Sequence, residues 1–270
     1  MITIEEWLKT STRELLKKDI SSARLDCLVM LEESTQKQRE WLLAHGEEKL
    51  SDKELGAMNR MLEQRLGHTP LAYIVGQKEF FGRNFIVNKN VLIPRPESES
   101  LVEILLNLDR SIFDTIVDIG TGSGCLAITA KLEIPEAIVM AIDNSEEAVN
   151  LARKNAEVLN VDIILKESDL LDSIKITDRS VLLVNLPYVP NGLITSEEIE
   201  KEPPGAIFSG TDGLDHYKKL WSQHLNTELN PTFVITESLL SQHNRMTELA
   251  EKVGYKLAKT NGLAQLFEKA

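Results

Sequence analysis

From residue 100 onward the chain alternates short apolar runs with segments of helical period, and this alternation restricts the fold more than any other property of the sequence. Strands are predicted over 115–119, 137–142, 162–165, 180–184 and 232–236, and helices near 124–133, 145–159, 213–227 and 241–253. Strands that alternate with helices are joined by right-handed crossovers, which gives an α/β fold with a mostly parallel, doubly wound sheet. The end of the chain departs from this rule. Residues 255–259 and 263–268 flank Asn261-Gly262, a strong hairpin pair, so the last strand is expected to run antiparallel.

Up to about residue 75 the period is helical. Thr3 and Glu6 have capping-box spacing ahead of Trp7 and Leu8, and Ser51 and Glu54 repeat it ahead of Leu55, Met58, Leu62 and Leu66, a helix that Gly67 and Pro70 end. Leu25, Leu28, Val29 and Leu31, then Trp41, Leu42 and Leu43, are expected to give the other helices of a small bundle their apolar faces. Between 79 and 93, Phe80, Phe81, Phe85, Ile86 and Val87 cluster around Gly82 and the turn-forming Asn88-Lys89-Asn90, the pattern of a connecting hairpin. The expected division is therefore a helical domain over 1–75, a hairpin linker over 76–100 and an α/β domain over 101–270.

Charge narrows the function. With 42 acidic and 30 basic side chains the net charge is -12, a poor match for a long phosphate backbone, so a protein or small-molecule substrate is favoured and no stable nucleic-acid binding is expected. Cys27 and Cys125 lie far apart without CxxC spacing, and the five histidines have no metal-ligand spacing, so neither a disulfide framework nor a metal site is expected. The first residues, Met1-Ile2-Thr3-Ile4-Glu5-Glu6, have no basic n-region, and the apolar runs are too short to span a bilayer; a cytoplasmic chain away from the membrane is expected.

Asp118-Ile119-Gly120-Thr121-Gly122-Ser123-Gly124 follows the first strand of the sheet and opens a helix. Glycines there let backbone approach a ligand: Gly120 and Gly122 can turn tightly and present N–H groups, while Gly124 lets the helix pack close to the strand. Asp143 ends the second strand, where its carboxylate can accept both ribose hydroxyls of an adenosine, and Asp169, after the third, can meet the exocyclic amine of adenine. This much fits either NAD or S-adenosylmethionine. The spacing GxGxG differs from the dinucleotide GxGxxG, and the negative charge of Asp118 suits a sulfonium or ammonium better than a pyrophosphate.

The buried strand Ser180-Val181-Leu182-Leu183-Val184 runs directly into Asn185-Leu186-Pro187-Tyr188. An amide nitrogen is a weak nucleophile because its lone pair is delocalised into the carbonyl, so a catalyst that alkylates it must orient it with acceptors. Asn185 Oδ1 and the Leu186 carbonyl can each accept one N–H of a substrate NH₂ group, and Tyr188 can stack on the planar amide or base.

With these segments in order, the sequence resembles the HemK/PrmC family of release factor glutamine methyltransferases over nearly its whole length. Val91-Leu92-Ile93-Pro94-Arg95-Pro96-Glu97-Ser98-Glu99 looks like its linker signature, Asp118 to Gly124 like its cofactor loop, and Glu202-Pro203 through Gly210-Thr211-Asp212-Gly213-Leu214 like the segment after its catalytic strand. The N-terminal helices resemble its substrate-recognition bundle. The resemblance implies a Rossmann-like class I methyltransferase sheet behind a small helical bundle. It also implies S-adenosylmethionine as cofactor, and methyl transfer to N5 of the glutamine in the Gly-Gly-Gln motif of class 1 peptide chain release factors. It implies that Asn185, Leu186, Pro187 and Tyr188 hold that glutamine, with Asn185 and Tyr188 as the catalytic pair. Asp118, Gly120, Thr121, Gly122, Ser123, Gly124, Asp143 and Asn185 would hold the cofactor, with Asp169 and Leu170 near the adenine. Arg95, Glu97 and Glu99 would fix the linker near the site. Two positions depart: the C-terminal hairpin has Leu263-Ala264-Gln265-Leu266 in place of the more usual basic run, and where the family usually has Asn-Pro-Pro-Tyr, Leu186 replaces the first proline. Asn-Leu-Pro-Tyr is the form associated with ribosomal RNA adenine dimethyltransferases, so an adenine-N6 nucleic-acid methyltransferase is the alternative.

Overall fold

The computed structural model describes residues 2–172, 174, 176–193, 196–225 and 230–270. They divide into two compact units, residues 2–76 with 196–201, and residues 77–193 with 202–270.

The first unit is helical: α1 (Ile4–Leu16), α2 (Ala23–Thr35), α3 (Arg39–Ala44), α4 (Asp52–Leu66) and α5 (Leu71–Val75). Thr3 Oγ1 accepts from Glu6 N at 3.3 Å while the Glu6 carboxylate accepts from Thr3 N at 2.9 Å, and Ser51 and Glu54 cap α4 in the same way. Each box satisfies N–H groups that a helix start leaves open. Helix α2 buries Ala23, Asp26, Cys27, Met30 and Leu31, a stripe at helical spacing, so Leu25 falls off it and is half exposed. Leu43 of α3 also turns outward while Leu42 turns in, which corrects the expectation that Leu25 and Leu43 face the core. Asp26 is tolerated in the stripe because Arg65 Nε donates to its Oδ2 at 2.7 Å; the same buried guanidinium reaches Glu198 in the returning segment.

The second unit opens with β1 (Gln77–Phe80) and β2 (Arg83–Ile86), an antiparallel hairpin that turns at Phe81 and Gly82, both at positive φ. Pairing stops at Ile86, so Asn88-Lys89-Asn90 is not part of this turn. A 3-10 turn over Pro96–Ser98 leads into α6 (Glu99–Leu106), which has no counterpart among the predicted helices. The strands that follow are β3 (Thr115–Ile119), β4 (Ile138–Asp143), β5 (Ile164–Glu167), β6 (Ser180–Val184), β7 (Phe233–Glu237), β8 (Tyr255–Asn261) and β9 (Ala264–Lys269). Their order is β5-β4-β3-β6-β7-β9-β8; the first five are parallel, while β9 runs antiparallel to both β7 and β8.

Helices α7 (Cys125–Glu133) and α8 (Glu146–Val158) join α6 on one face of the sheet, where Leu101, Leu105, Leu126 and Ala127 are buried. The other face is covered by α9 (Asp215–Leu225) and α10 (His243–Glu251) through Tyr217, Leu220, Trp221 and Met246. Helix α9 starts two residues later than predicted because Gly213 takes φ +77; residues 226 and 227 of that prediction lie outside the described residues. Among the described residues no helix is long and apolar enough to cross a membrane.

What positions the site is register. Ile119 pairs with Ile142 and with Val184, and Val184 pairs with Thr236. The next residues, Gly120, Asp143, Asn185 and Glu237, therefore form one row at the carboxyl end of the sheet. The strand order reverses between β3 and β6, and open α/β sheets bind ligands in the crevice at such a reversal.

Candidate active site

A cavity of about 380 Å³ opens at that reversal, lined among others by Gly120, Gly122, Asp143, Asp169, Leu170 and Asn185. Its size lies within the ordinary range for small-molecule sites, roughly 300–1,000 Å³.

The glycine loop builds this space differently from the sequence-based expectation. Gly120 N and Thr121 N both donate to the Ile142 carbonyl, at 2.9 and 2.8 Å, and Gly122 N donates to Asp143 Oδ2 at 2.9 Å. The amides of Gly120 and Gly122 are thus engaged on the neighbouring strand and are not offered to a ligand. The loop contributes room. A Cβ on Gly122 would meet nothing within 4 Å, whereas one on Gly120 would lie 2.9 Å from Leu186 Cδ2. Gly124 is needed for packing on α8 and within its own helix, more than for packing on the strand: a Cβ there would lie 3.0 Å from Ala152 Cβ and 3.1 Å from Ile128 Cδ1.

Asp118, Thr121 and Ser123 are buried behind the loop and do not line the cavity. Asp118 Oδ2 accepts from Thr121 Oγ1 at 2.6 Å and from Ala127 N at 3.2 Å, while its Oδ1 has no partner among the described residues. Burial pushes this carboxyl up to about 7, against those two hydrogen bonds. The Cys125 thiol is likewise pushed up by burial, to about 12, and is not an activated nucleophile.

Asp143 takes one N–H on each oxygen, from Gly122 and from Ser145 at 3.0 Å, so each retains a lone pair for a hydroxyl donor. Burial raises its pKa and these N–H groups oppose the rise. Asp169 lines the cavity with its carboxylate ion-paired to Lys219. His216, which no spacing rule marked, also lines it. Ser209 Oγ and His216 Nδ1 are hydrogen-bonded at 2.6 Å, and burial lowers the pKa of the ring.

At the tip of β6, Asn185 Nδ2 donates to Ser98 Oγ at 2.8 Å, and Oδ1 has no partner among the described residues. Leu186 is buried against Gly120, and the N–H it brings in place of a proline donates to Tyr217 Oη at 3.2 Å. That hydroxyl donates in turn to the Glu237 carbonyl. The Leu186 carbonyl has no donor among the described residues. Tyr188 Oη donates to Glu237 Oε1 at 2.9 Å; burial and the adjacent Glu237 carboxyl raise the phenol pKa and keep it protonated. The linker residues are tied down as well: Ile93 N and Arg95 both bond Glu202, which is 3% exposed, and Phe81 N donates to Glu99 Oε1. The structure thus brings Gly120, Gly122, Asp143, Asp169, Leu170, Asn185, Leu186 and Pro187 to one cavity and sets Tyr188 beside it. Ser98, from the linker signature, joins them, and Tyr217 and Glu237 do so without a motif of their own. The one local signal for Glu237 is a carboxylate that closes an apolar strand.

Two protein families match the chain, the PrmC N-terminal domain over residues 6–76 and the methyltransferase small domain over 97–202. The release factor glutamine methyltransferase of Aliivibrio fischeri is 30% identical, over 96% of this chain and 93% of its own. That of Coxiella burnetii is 32% identical, over 95% and 93%. The bifunctional methyltransferase of Rickettsia felis is 31% identical over 94% of this chain, which spans only 55% of that longer protein; the chain covers about half the length of such bifunctional relatives. Among solved structures, a methyltransferase from Pyrococcus furiosus has a TM-score of 0.52 at 22% identity, with 72% of this chain and 92% of that one covered, a likeness of fold.

Proposed function

The chain belongs to the release factor glutamine methyltransferase family, and from that premise we propose that it transfers a methyl group from S-adenosylmethionine to N5 of the glutamine in the Gly-Gly-Gln motif of class 1 peptide chain release factors. Two open acceptors at one strand tip, Asn185 Oδ1 and the Leu186 carbonyl, carry this assignment. A primary amide has two N–H groups. When each donates to one acceptor, the nitrogen is held with one face toward the cavity, which supplies orientation that free encounter lacks. Tyr188 presents its ring to the same amide while its hydroxyl is occupied by Glu237.

The cavity suits the cofactor. The open space over Gly122 accepts its backbone-sized approach, and the remaining lone pairs of Asp143 accept ribose hydroxyls. When bound, S-adenosylmethionine supplies an electrophilic methyl carbon on a sulfonium; transfer breaks the S–C bond, forms the N–C bond and releases the amide proton to water. The helical unit is assigned the docking of the release factor, and such a partner places the work in the cytoplasm.

Incubation with methyl-labelled S-adenosylmethionine, a release factor and ribosomal RNA, followed by mass spectrometry, tests this. Label on the motif glutamine supports the assignment. Label on adenine would overturn it in favour of the nucleic-acid enzyme that the Asn-Leu-Pro-Tyr form otherwise fits.

A further inference from the structure

Tyr217, Leu220 and Trp221 form the buried stripe of α9 against the sheet, so a phenol with no exposed surface is carried to the strand tips. A hydroxyl in that setting needs partners. Leu186 N donates to Tyr217 Oη at 3.2 Å, and Tyr217 Oη donates to the Glu237 carbonyl at the end of β7, with the Val184 carbonyl at 3.3 Å. The hydroxyl has one proton, and once that is given to Glu237 its oxygen acts as acceptor for the Leu186 N–H. The far end of Asn185-Leu186-Pro187-Tyr188 is held as well: Tyr188 Oη donates to Glu237 Oε1 at 2.9 Å, and Gln242 Nε2 donates to the Tyr188 carbonyl at 2.8 Å.

Between these anchors lies the Leu186 carbonyl, whose direction depends on the two backbone dihedrals of residue 186. Pro187 restricts ψ, since its ring disfavours the helical region for the residue before it. A proline at 186 would also lock φ. Leucine leaves φ free and adds an N–H that must find an acceptor in a buried place, Leu186 being 4% exposed. We infer that Tyr217 is a positioning residue which, by accepting the Leu186 N–H, sets the plane of the Asn185–Leu186 peptide and so aims the Leu186 carbonyl at the substrate amide. The phenol thereby supplies from a neighbouring helix the constraint that a pyrrolidine ring would supply within the chain. This inference rests on the proposed methylation of a side-chain amide.

Tyr217→Phe removes the oxygen and keeps the ring. It takes the acceptor from the Leu186 N–H and the donor from the Glu237 carbonyl. Leu186→Pro removes the N–H itself and locks φ. In that background Tyr217→Phe costs only the Glu237 bond and no longer leaves a buried donor unpaired beside the cavity. The two substitutions should therefore be coupled. A tyrosine that did no more than tie α9 to β7 would lose the same amount in both backgrounds.

The test is a double-mutant cycle on release-factor methylation, with cofactor affinity by calorimetry and folding by thermal melting followed alongside. Tyr217→Phe should lower kcat roughly tenfold in the wild-type background, the scale of one buried polar group left unpaired. In Leu186→Pro the same change should lower it by no more than about twofold, the spread of uncoupled sites, with cofactor affinity unmoved by Tyr217→Phe in either background. Wild-type turnover in folded Tyr217→Phe, or an equal loss in both backgrounds, would overturn the inference. If Tyr217→Phe does not fold, recovery of folding in Tyr217→Phe/Leu186→Pro supports the inference and failure of both refutes it. A readout independent of substrate is the Leu186 backbone amide in ¹H–¹⁵N spectra, assigned by its absence from Leu186→Pro. Tyr217→Phe should shift it and speed its hydrogen exchange, and an unmoved amide sinks the inference even if methylation succeeds. If the amide responds but the wild type leaves the release factor unlabelled, the substrate assignment fails and the clamp on Leu186 stands.

Discussion

At Asn185 the nitrogen of the side-chain amide is already spent on Ser98, and the oxygen is left for a ligand. Removing that oxygen should harm turnover far more than binding. Asn185→Ala is expected to lower kcat by roughly 10²- to 10³-fold, the usual effect of losing one oriented polar group from an active site, with cofactor affinity unchanged. Steady-state kinetics that show wild-type turnover would remove Asn185 from the mechanism. Asp143→Ala should do the opposite and weaken cofactor binding, because the two lone pairs left over from Gly122 and Ser145 are its contribution; equal affinities by calorimetry would refute that. The substitution of Leu186 for proline costs little in hydrogen bonding, since Tyr217 accepts the added N–H. A Cβ on Gly120 would press on the terminal Cδ2 of that leucine, and its φ of +74 favours glycine in any case.

Among elements, two of the three loop glycines with positive φ, Gly122 and Gly124, should separate cleanly. Gly124→Ala meets Ala152 and Ile128 and forces a left-handed residue, so it should lose about 1–3 kcal/mol of stability in urea titration. Gly122→Ala also forces a left-handed residue but meets no protein atom, so it should lose less stability than Gly124→Ala, and because its methyl projects into open space its larger effect should be on cofactor affinity. Similar phenotypes for the two would contradict this division. The central strands were legible in the sequence because parallel strands covered on both faces read as apolar runs, as Ser180–Val184 does, with all five residues buried. For edge strand β5 the apolar run Ile163-Ile164-Leu165 puts the expected strand two residues early, because pairing continues over the exposed Lys166 and Glu167 at the sheet edge. The helix over Glu99–Leu106 was hidden behind a proline-rich turn whose packing only the sheet reveals. Gly120, Asp143 and Asn185 could be read as strand-end residues one at a time. Ser98 and Glu237 could not, because their meeting with Asn185 depends on strand register and on a turn 87 residues away in sequence.

For the whole molecule, Asp118 links the cofactor loop to stability. Its carboxyl is held near 7 in the fold against an ordinary value of 3.8, so the folded chain keeps a proton that the unfolded chain has lost between about pH 4 and 7. Stability from this group is therefore greatest at the acidic end and declines as pH rises through that window, by at most about 1.4 kcal/mol per pH unit. Asp118→Asn should flatten that decline relative to wild type in urea titrations at pH 5 and 8; identical slopes would show that the carboxyl is ionised throughout. The claim on which everything else depends is that a substrate amide is gripped through both hydrogens at the end of β6. A crystal structure with S-adenosylhomocysteine and a Gly-Gly-Gln peptide tests it most directly. The glutamine nitrogen should lie about 2.7–3.2 Å from both Asn185 Oδ1 and the Leu186 carbonyl oxygen. A glutamine side chain bound elsewhere, or Asn185 turned with its nitrogen toward the peptide, would contradict it.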